Sequence, residues 1–100
     1  MIVVYTAKSH ADLDRIWQFI APDNPGRAMT FVRELVQRCE RLTDFPYRFP
    51  LLRRYEHTGI RRLRHGEYLI FYRVSETQID ILHVIHGAQD YETILFPSDE

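Results

Sequence analysis

The sequence has little of several features that would assign it to a class at once. It has a single cysteine, Cys39, which excludes an internal disulfide and a cysteine-rich metal site and suits a reducing compartment. No apolar run approaches the roughly 20 residues that a membrane-spanning helix needs. The N-terminal residues carry no basic stretch before their short apolar patch, so we expect no signal peptide and a cytoplasmic location. There is also no glycine-rich phosphate loop.

Lysine and arginine are absent after Arg73, although the net charge of the whole chain is only −1. Between residues 48 and 73, seven arginines stand against Glu56 and Glu67, and the six charged residues that follow are all acidic, including those of a tail at about 97–100. This asymmetry predicts either an electropositive surface for an acidic partner or for phosphates, or a tail that folds back and neutralises the basic segment.

What is present is an ordinary globular composition, with 45% hydrophobic and 27% charged residues in a chain of 100. This length predicts one domain over residues 1–100. Its first segment, "IVVYT" at residues 2–6, is typical of a strand. A helix should follow, with Ser9 as its N-cap and Asp12 three residues later in a capping-box arrangement. A second helix should begin at Asn24 and Pro25, and Cys39 lies on its apolar stripe as a core residue.

Three strand-like runs follow a proline-containing loop at residues 45–59: "IRRLRH", "YLIFYRV" and "IDILHVIH". Their short links predict antiparallel neighbours, and the unbroken apolar run "YLIFY" predicts a central strand covered on both faces. The order is therefore β-α-α-β-β-β. We expect a two-layer α+β fold, with a helical hairpin packed on a small, mainly antiparallel sheet.

Few residues suggest catalysis. His83 and His86 should lie on opposite faces of a strand without a third ligand nearby, so we predict no metal site and no cofactor. No serine stands in a strand-turn-helix elbow. Metal-free RNA cleavage uses cations, a general acid and base, and a stacking ring. Residues of this kind that the strand order can bring to one sheet edge are Arg62, Arg64, Arg73, His86 and Tyr91.

Four segments together resemble the ParE branch of the RelE/ParE toxin superfamily, which is associated with plasmid stabilisation: "ADLDRIWQFIAPDNPGRA", "LTDFPYRFP", "GIRRLRHGEYLIFYRV" and "ILHVIHGAQDYETIL". The resemblance covers nearly the whole chain. It implies the same fold, growth arrest as part of a bacterial type II toxin-antitoxin system, and a small antitoxin as a partner in a hetero-oligomer. ParE toxins poison DNA gyrase, whereas RelE toxins cleave mRNA on the ribosome.

The RelE cleavage site helps to separate the two branches. In RelE toxins that site has a basic pair on the second strand, an arginine on the third strand, an arginine after the last strand and a tyrosine beyond it. The corresponding places here are Ile60 and Arg62, Leu69, Gln89 and about Leu95, and Arg62 alone keeps a suitable side chain. The resemblance therefore favours a protein-binding inhibitor of gyrase over a ribonuclease, with an inactive family member as a third possibility.

Candidate sites follow from this hypothesis. If the chain is instead a nuclease, its candidate catalytic residues are Arg62, Arg73, His86 and Tyr91. The candidates for binding an acidic antitoxin segment are Arg53, Arg54, Arg61, Arg62, Arg64 and Arg73. The candidates for contact with gyrase follow the last strand and are His86, Gln89, Asp90, Tyr91 and Phe96.

Overall fold

A computed structural model describes residues 1–98 of the chain. The order of its elements is β1 (Ile2–Tyr5), α1 (Ala7–Ile20), α2 (Pro25–Glu40), β2 (Ile60–His65), β3 (Tyr68–Val74), β4 (Gln78–His86) and α3 (Tyr91–Leu95), with single 3₁₀ turns at Arg41–Thr43 and Glu56–Thr58. The predicted β-α-α-β-β-β order and α+β fold are confirmed, and α3 is an addition. Of the predicted acidic tail, Asp99 and Glu100 lie outside the described residues.

The two long helices begin at polar caps, of which one was predicted correctly. Asn24 accepts a hydrogen bond from the backbone N–H of Arg27, and Pro25 takes the first helical position of α2. The predicted cap of α1 is wrong, because Thr6 caps this helix and accepts from the N–H of Ser9. Ser9 is instead buried in the first turn, where its hydroxyl donates to the Thr6 carbonyl. Among residues 1–98, no helix is both long and apolar enough to cross a membrane.

The sheet has the strand order β1-β4-β3-β2. The three later strands form an antiparallel meander, and β1 adds to its edge in parallel with β4, from Ile2 opposite Gln78 to Tyr5 opposite Ile81. Beyond Ile81, β4 continues without β1 beside it. A bulge falls here, since Tyr72 pairs with Ile81 while Phe71 pairs with His83, which leaves Leu82 as an extra residue on β4.

Both faces of β3 are covered, as the sequence predicts. On one face Ile70 and Tyr72 pack with residues of α1 and α2, among them the buried Cys39. On the other face Leu69 and Phe71 form a second apolar cluster, which is closed by the loop before β2 and by α3. The helix α3 therefore lies over the sheet face that carries Arg62.

Candidate functional site

A basic hollow lies on the sheet face opposite the α1–α2 hairpin. It has a volume of about 300 Å³, and its lining residues are Leu52, Arg53, Arg54, Arg62, Tyr91 and Glu92. Arg53 and Arg54 are exposed on the loop before β2. Arg54 has a backbone φ of 74°, in the left-handed region that residues other than glycine rarely adopt. Three arginines outweigh the one carboxylate of Glu92 in this lining, so the hollow is suited to a carboxylate or a phosphate.

Arg62 and Tyr91 contact each other in the lining of this basic hollow. Strand alternation directs Arg62 to the same face as Ile60, and one of its guanidinium nitrogens donates to the Tyr91 hydroxyl at 3.2 Å. The guanidinium carbon of Arg62 also lies 5.9 Å from the centre of the Tyr91 ring, which contacts Phe71 at 5.3 Å between centroids. The arginine is thus held in place while its remaining donors stay available.

Asp90 fixes the helix that supplies Tyr91. Its carboxylate accepts from the Thr93 hydroxyl at 2.7 Å and from the Thr93 N–H at 3.3 Å, and so caps α3. These hydrogen bonds from Thr93 hold the pKa of Asp90 below its ordinary value, because they stabilise the ionised carboxylate.

The other predicted antitoxin-binding arginines are more scattered. Arg64 and Arg73 point to the face of the basic hollow but stand at opposite ends of the β2–β3 hairpin, since Arg64 pairs with Leu69 and Arg73 with Ile60. Arg73 donates to the Thr58 carbonyl at 2.9 Å. Arg61 points to the opposite face, where it donates to the Phe49 carbonyl at 2.7 Å. The structure therefore brings Arg53, Arg54 and Arg62 together, flanked by Arg64 and Arg73, and leaves Arg61 apart.

The candidate nuclease residues do not converge on one point. Arg62 and Tyr91 touch, but His86 lies near the helix-facing side, with its ring 5.2 Å from that of Tyr68 and its Nε2 atom 3.4 Å from the Glu67 carboxylate. Leu69 occupies the predicted position of a catalytic cation, where it pairs with Arg64 of β2 and Ile85 of β4. It is 4% exposed and belongs to the apolar cluster beneath α3.

Most candidates for gyrase contact have partners within the chain. The Phe96 ring stacks on Tyr55 at 4.1 Å with an angle of 12° between the planes. Tyr91 and Asp90 are engaged as described above, and His86 accepts from the N–H of Ala88 through Nδ1. Gln89 is exposed at the start of the turn into α3.

Sequence reasoning missed a buried polar cluster around Asp12. This residue is 6% exposed on α1, where one carboxylate oxygen lies 2.7 Å from His83 Nδ1 and accepts from the Val84 N–H at 2.8 Å, while the other pairs with Arg15 at 3.0 Å. The prediction that Asp12 belongs to a capping box is wrong. Neither residue type nor spacing in the sequence connects Asp12 with His83.

His83 and His86 occupy alternate positions of β4, as the sequence predicts, since His83 pairs with Phe71 and His86 with Tyr68 and the bulge at Leu82 lies before both of them. Both nevertheless line one groove of about 920 Å³ between α1 and the end of β4. Within residues 1–98, no group of three or more histidine, cysteine, aspartate or glutamate side chains is arranged to hold a metal ion.

A second polar cluster connects α2 to β2. Arg38 donates to His65 Nδ1 at 3.2 Å, so the ring proton sits on Nε2, which donates to Glu34 at 3.0 Å. Hydrogen bonds from Arg27 and from His65 lower the pKa of Glu34. This cluster holds the helical hairpin against the sheet and takes no part in the basic hollow.

Comparison with known proteins gives a family match and two similar folds. Residues 3–91 match the family model described as the ParE toxin of type II toxin-antitoxin system, parDE. The chain is similar to a structure of the chromosomal ParDE toxin-antitoxin system from P. aeruginosa, with a TM-score of 0.71 and 26% identity over 86% of this chain and 95% of that one. It is also similar to a structure of the RelBE2 toxin-antitoxin complex from Mycobacterium tuberculosis, with a TM-score of 0.64 and 27% identity over 85% and 95% of the two chains. A search of curated proteins gives no significant match.

Proposed function

The chain belongs to the ParE toxin family of type II toxin-antitoxin systems, and we propose that it arrests growth by binding DNA gyrase and is neutralised by a cognate antitoxin. A toxin with this target acts in the cytoplasm and, in its silenced form, is part of a hetero-oligomer. The main observation in favour of a binding role over a catalytic one is the burial of Leu69 beneath α3. An apolar side chain sealed at that position contributes no charge to a phosphodiester in its transition state.

A ribonuclease is the second candidate, and the contact between Arg62 and Tyr91 favours it. A guanidinium beside a phenol and an aromatic face can bind a phosphate and stack a base. The two functions differ in what they damage, so induction of the toxin without antitoxin separates them.

The decisive assay uses purified toxin. A gyrase inhibitor should block supercoiling or yield cleaved plasmid with purified gyrase, and should provoke a DNA-damage response in cells. A ribonuclease should instead cut mRNA in the ribosomal A site and leave DNA intact, which would refute the gyrase proposal. Harmless overexpression of folded protein would point to an inactive family member.

The basic hollow is the proposed docking site for an acidic segment of the antitoxin. Arg53, Arg54 and Arg62 surround it, and Arg64 and Arg73 extend the positive charge along the hairpin. Exposed ion pairs of this kind are screened by salt, so binding through them should weaken as ionic strength rises.

Reversing two of these charges tests the docking site. We expect Arg62→Glu with Arg64→Glu to weaken antitoxin binding about tenfold or more and to reduce its salt dependence, because each exposed pair contributes up to about 1 kcal/mol. Titration calorimetry at several salt concentrations measures both effects. Arg53→Glu, on an exposed loop, should act in the same direction without touching the sheet.

The matched control is Arg33→Glu with Arg41→Glu, which reverses two exposed arginines at α2 and its C-terminal end. This control should leave affinity and salt slope nearly unchanged. Equal effects from both double variants would reduce the result to net charge and would remove the docking assignment.

A further inference from the structure

We infer that the loop Phe45–Phe49, "FPYRF", is the surface through which the toxin binds an apolar patch on its protein target, an inference that rests on the proposed function. We call this segment the aromatic loop. It connects the 3₁₀ turn after α2 to the segment that leads into β2. None of the residues predicted for target contact lies in it.

The aromatic loop exposes large apolar side chains side by side. Phe45 is 69% exposed and Tyr47 is 64% exposed, and residues 44–48 line a shallow hollow of about 600 Å³. Single exposed apolar residues are common on protein surfaces. Two exposed aromatic rings beside an apolar hollow in one short loop have the composition of a binding hot spot.

The aromatic loop is also held rigidly from below. Tyr72, a fully buried residue of β3, donates its hydroxyl to the Pro46 carbonyl at 2.9 Å. Arg61 donates to the carbonyls of Phe49 at 2.7 Å and Tyr47 at 3.3 Å, and its guanidinium carbon lies 5.1 Å from the centre of the Tyr47 ring. A loop fixed in this way loses little conformational entropy on binding, so its exposed rings retain more of their contact energy.

The chemistry of the aromatic loop fits a protein better than a nucleic acid. Binding of single strands combines stacked bases with a positively charged track for the backbone. Here Arg61 is used to hold the loop, the guanidinium carbon of Arg48 lies over the Phe49 ring at 5.4 Å, and Asp44 adds a negative charge at the same hollow. Asp44 offsets one of the two arginine charges, so the surface is mainly aromatic and carries too little positive charge to form a track for a nucleic-acid backbone. It matches an apolar patch on a protein.

The aromatic loop and the basic hollow face in opposite directions. Successive residues of β2 point to opposite faces of the sheet, so Arg61 reaches the loop while Arg62 reaches Tyr91 and the hollow. An acidic antitoxin segment in the basic hollow therefore has no need of the loop. Phe45 and Tyr47 are exposed, whereas Tyr91 and Phe96 are only partly exposed, so the loop offers the target the more accessible aromatic anchors.

The test uses a full-length double variant that carries both Phe45→Ala and Tyr47→Ala. This double variant is compared with the wild-type toxin. We expect affinity for purified gyrase, measured by biolayer interferometry, to fall about a hundredfold, since two hot-spot truncations each cost about tenfold or more. Inhibition of supercoiling should fall in parallel. Antitoxin affinity should stay within about threefold of wild type, and a circular dichroism melt should confirm the fold. Met29→Ala is the matched control, because Met29 is a large apolar residue that is 51% exposed on α2 and lies outside the groove lined by His86 and Gln89, and this variant should bind gyrase as wild type does.

The outcomes distinguish the inference from the function on which it rests. If wild-type toxin binds gyrase and the double variant binds equally well, the loop assignment is wrong and the proposed function stands. If the double variant loses antitoxin and keeps gyrase, the loop belongs to the antitoxin interface and the inference is likewise overturned. If the wild type itself does not bind gyrase, the proposed function fails and the inference fails with it.

Discussion

At the scale of single residues, Asp12 accepts a hydrogen bond from the edge of β4 in place of a neighbouring strand. The parallel strand β1 ends at Tyr5, opposite Ile81, and further along β4 the Val84 N–H donates to the Asp12 carboxylate. The same carboxylate binds His83, so one helical side chain satisfies two donors at a sheet edge. Polar groups buried without such a partner destabilise the folded state.

Removing this carboxylate should destabilise the protein. We expect Asp12→Ala to lower the free energy of unfolding by about 2 kcal/mol, because the Val84 N–H and the His83 ring then lack their acceptor. Urea denaturation followed by circular dichroism measures the change. Asp14→Ala, at an exposed position on the same helix, should shift stability by no more than about 0.5 kcal/mol. A similar loss in both variants would show that the buried contacts contribute little.

Residue alternation was the most informative part of the sequence at this scale. It correctly separated Arg61 from Arg62 and Leu69 from Ile70, because a strand directs successive side chains to opposite faces. It holds for His83 and His86 as well, because their pairing with Phe71 and Tyr68 is regular. The bulge at Leu82 was not predicted, because it depends on tertiary pairing with Phe71 and Tyr72. The contact between Asp12 and His83 joins residues 71 positions apart, and no local pattern encodes it.

At the scale of elements, α3 is the part of the fold that sequence periodicity did not predict. It has five residues, which is too short for an apolar stripe to repeat. Its formation depends on the cap at Asp90 and on packing of Ile94 and Leu95 over the second apolar cluster. The predicted hairpin of α1 and α2 was correct because each of those helices is long enough for several repeats of its apolar stripe.

The cap at Asp90 should make α3 sensitive to acid. Since the pKa of Asp90 in the folded chain is lower than its ordinary value of 3.8, its carboxylate stabilises α3 fully above that value and loses this effect as pH falls through the folded pKa. We expect the amide signal of Thr93 in NMR spectra to shift, and its exchange protection to fall, below pH 3.8. In Asp90→Asn, which keeps a capping oxygen that does not titrate, the acid-dependent loss should disappear.

At the scale of the whole molecule, the two apolar clusters share the central strand β3, so the layers above and below it are coupled. Cys39 lies in the larger cluster, where it is 1% exposed and where burial raises the pKa of its thiol to about 12. Because the thiolate is the reactive species, this cysteine should be inert while the fold is intact. The overall architecture was predictable because the strand runs and the helix periods agree with one another.

Labelling of Cys39 should therefore report global unfolding. We expect Ellman's reagent to leave the native toxin unmodified over hours at pH 8 and to react fully once urea unfolds the chain. The labelling midpoint should coincide with that from circular dichroism. Rapid labelling under native conditions, or a labelling transition well below the circular dichroism midpoint, would show that the layer around α2 opens independently.

The parallel pairing of β1 with β4 has a consequence for synthesis of the toxin. The first strand to be synthesised, β1, has its only pairing partner within residues 1–98 in the last strand, β4, since Ile2 pairs with Gln78 and Tyr5 with Ile81. It therefore cannot join the sheet until β4 has been synthesised. Until β4 emerges, the apolar stripes of α1 and α2 have an incomplete sheet to cover, and pairing so distant in sequence is slow to form. The growing chain therefore cannot complete its sheet until translation is nearly finished, and we expect a stop codon before β4 to yield a fragment that does not reach this fold.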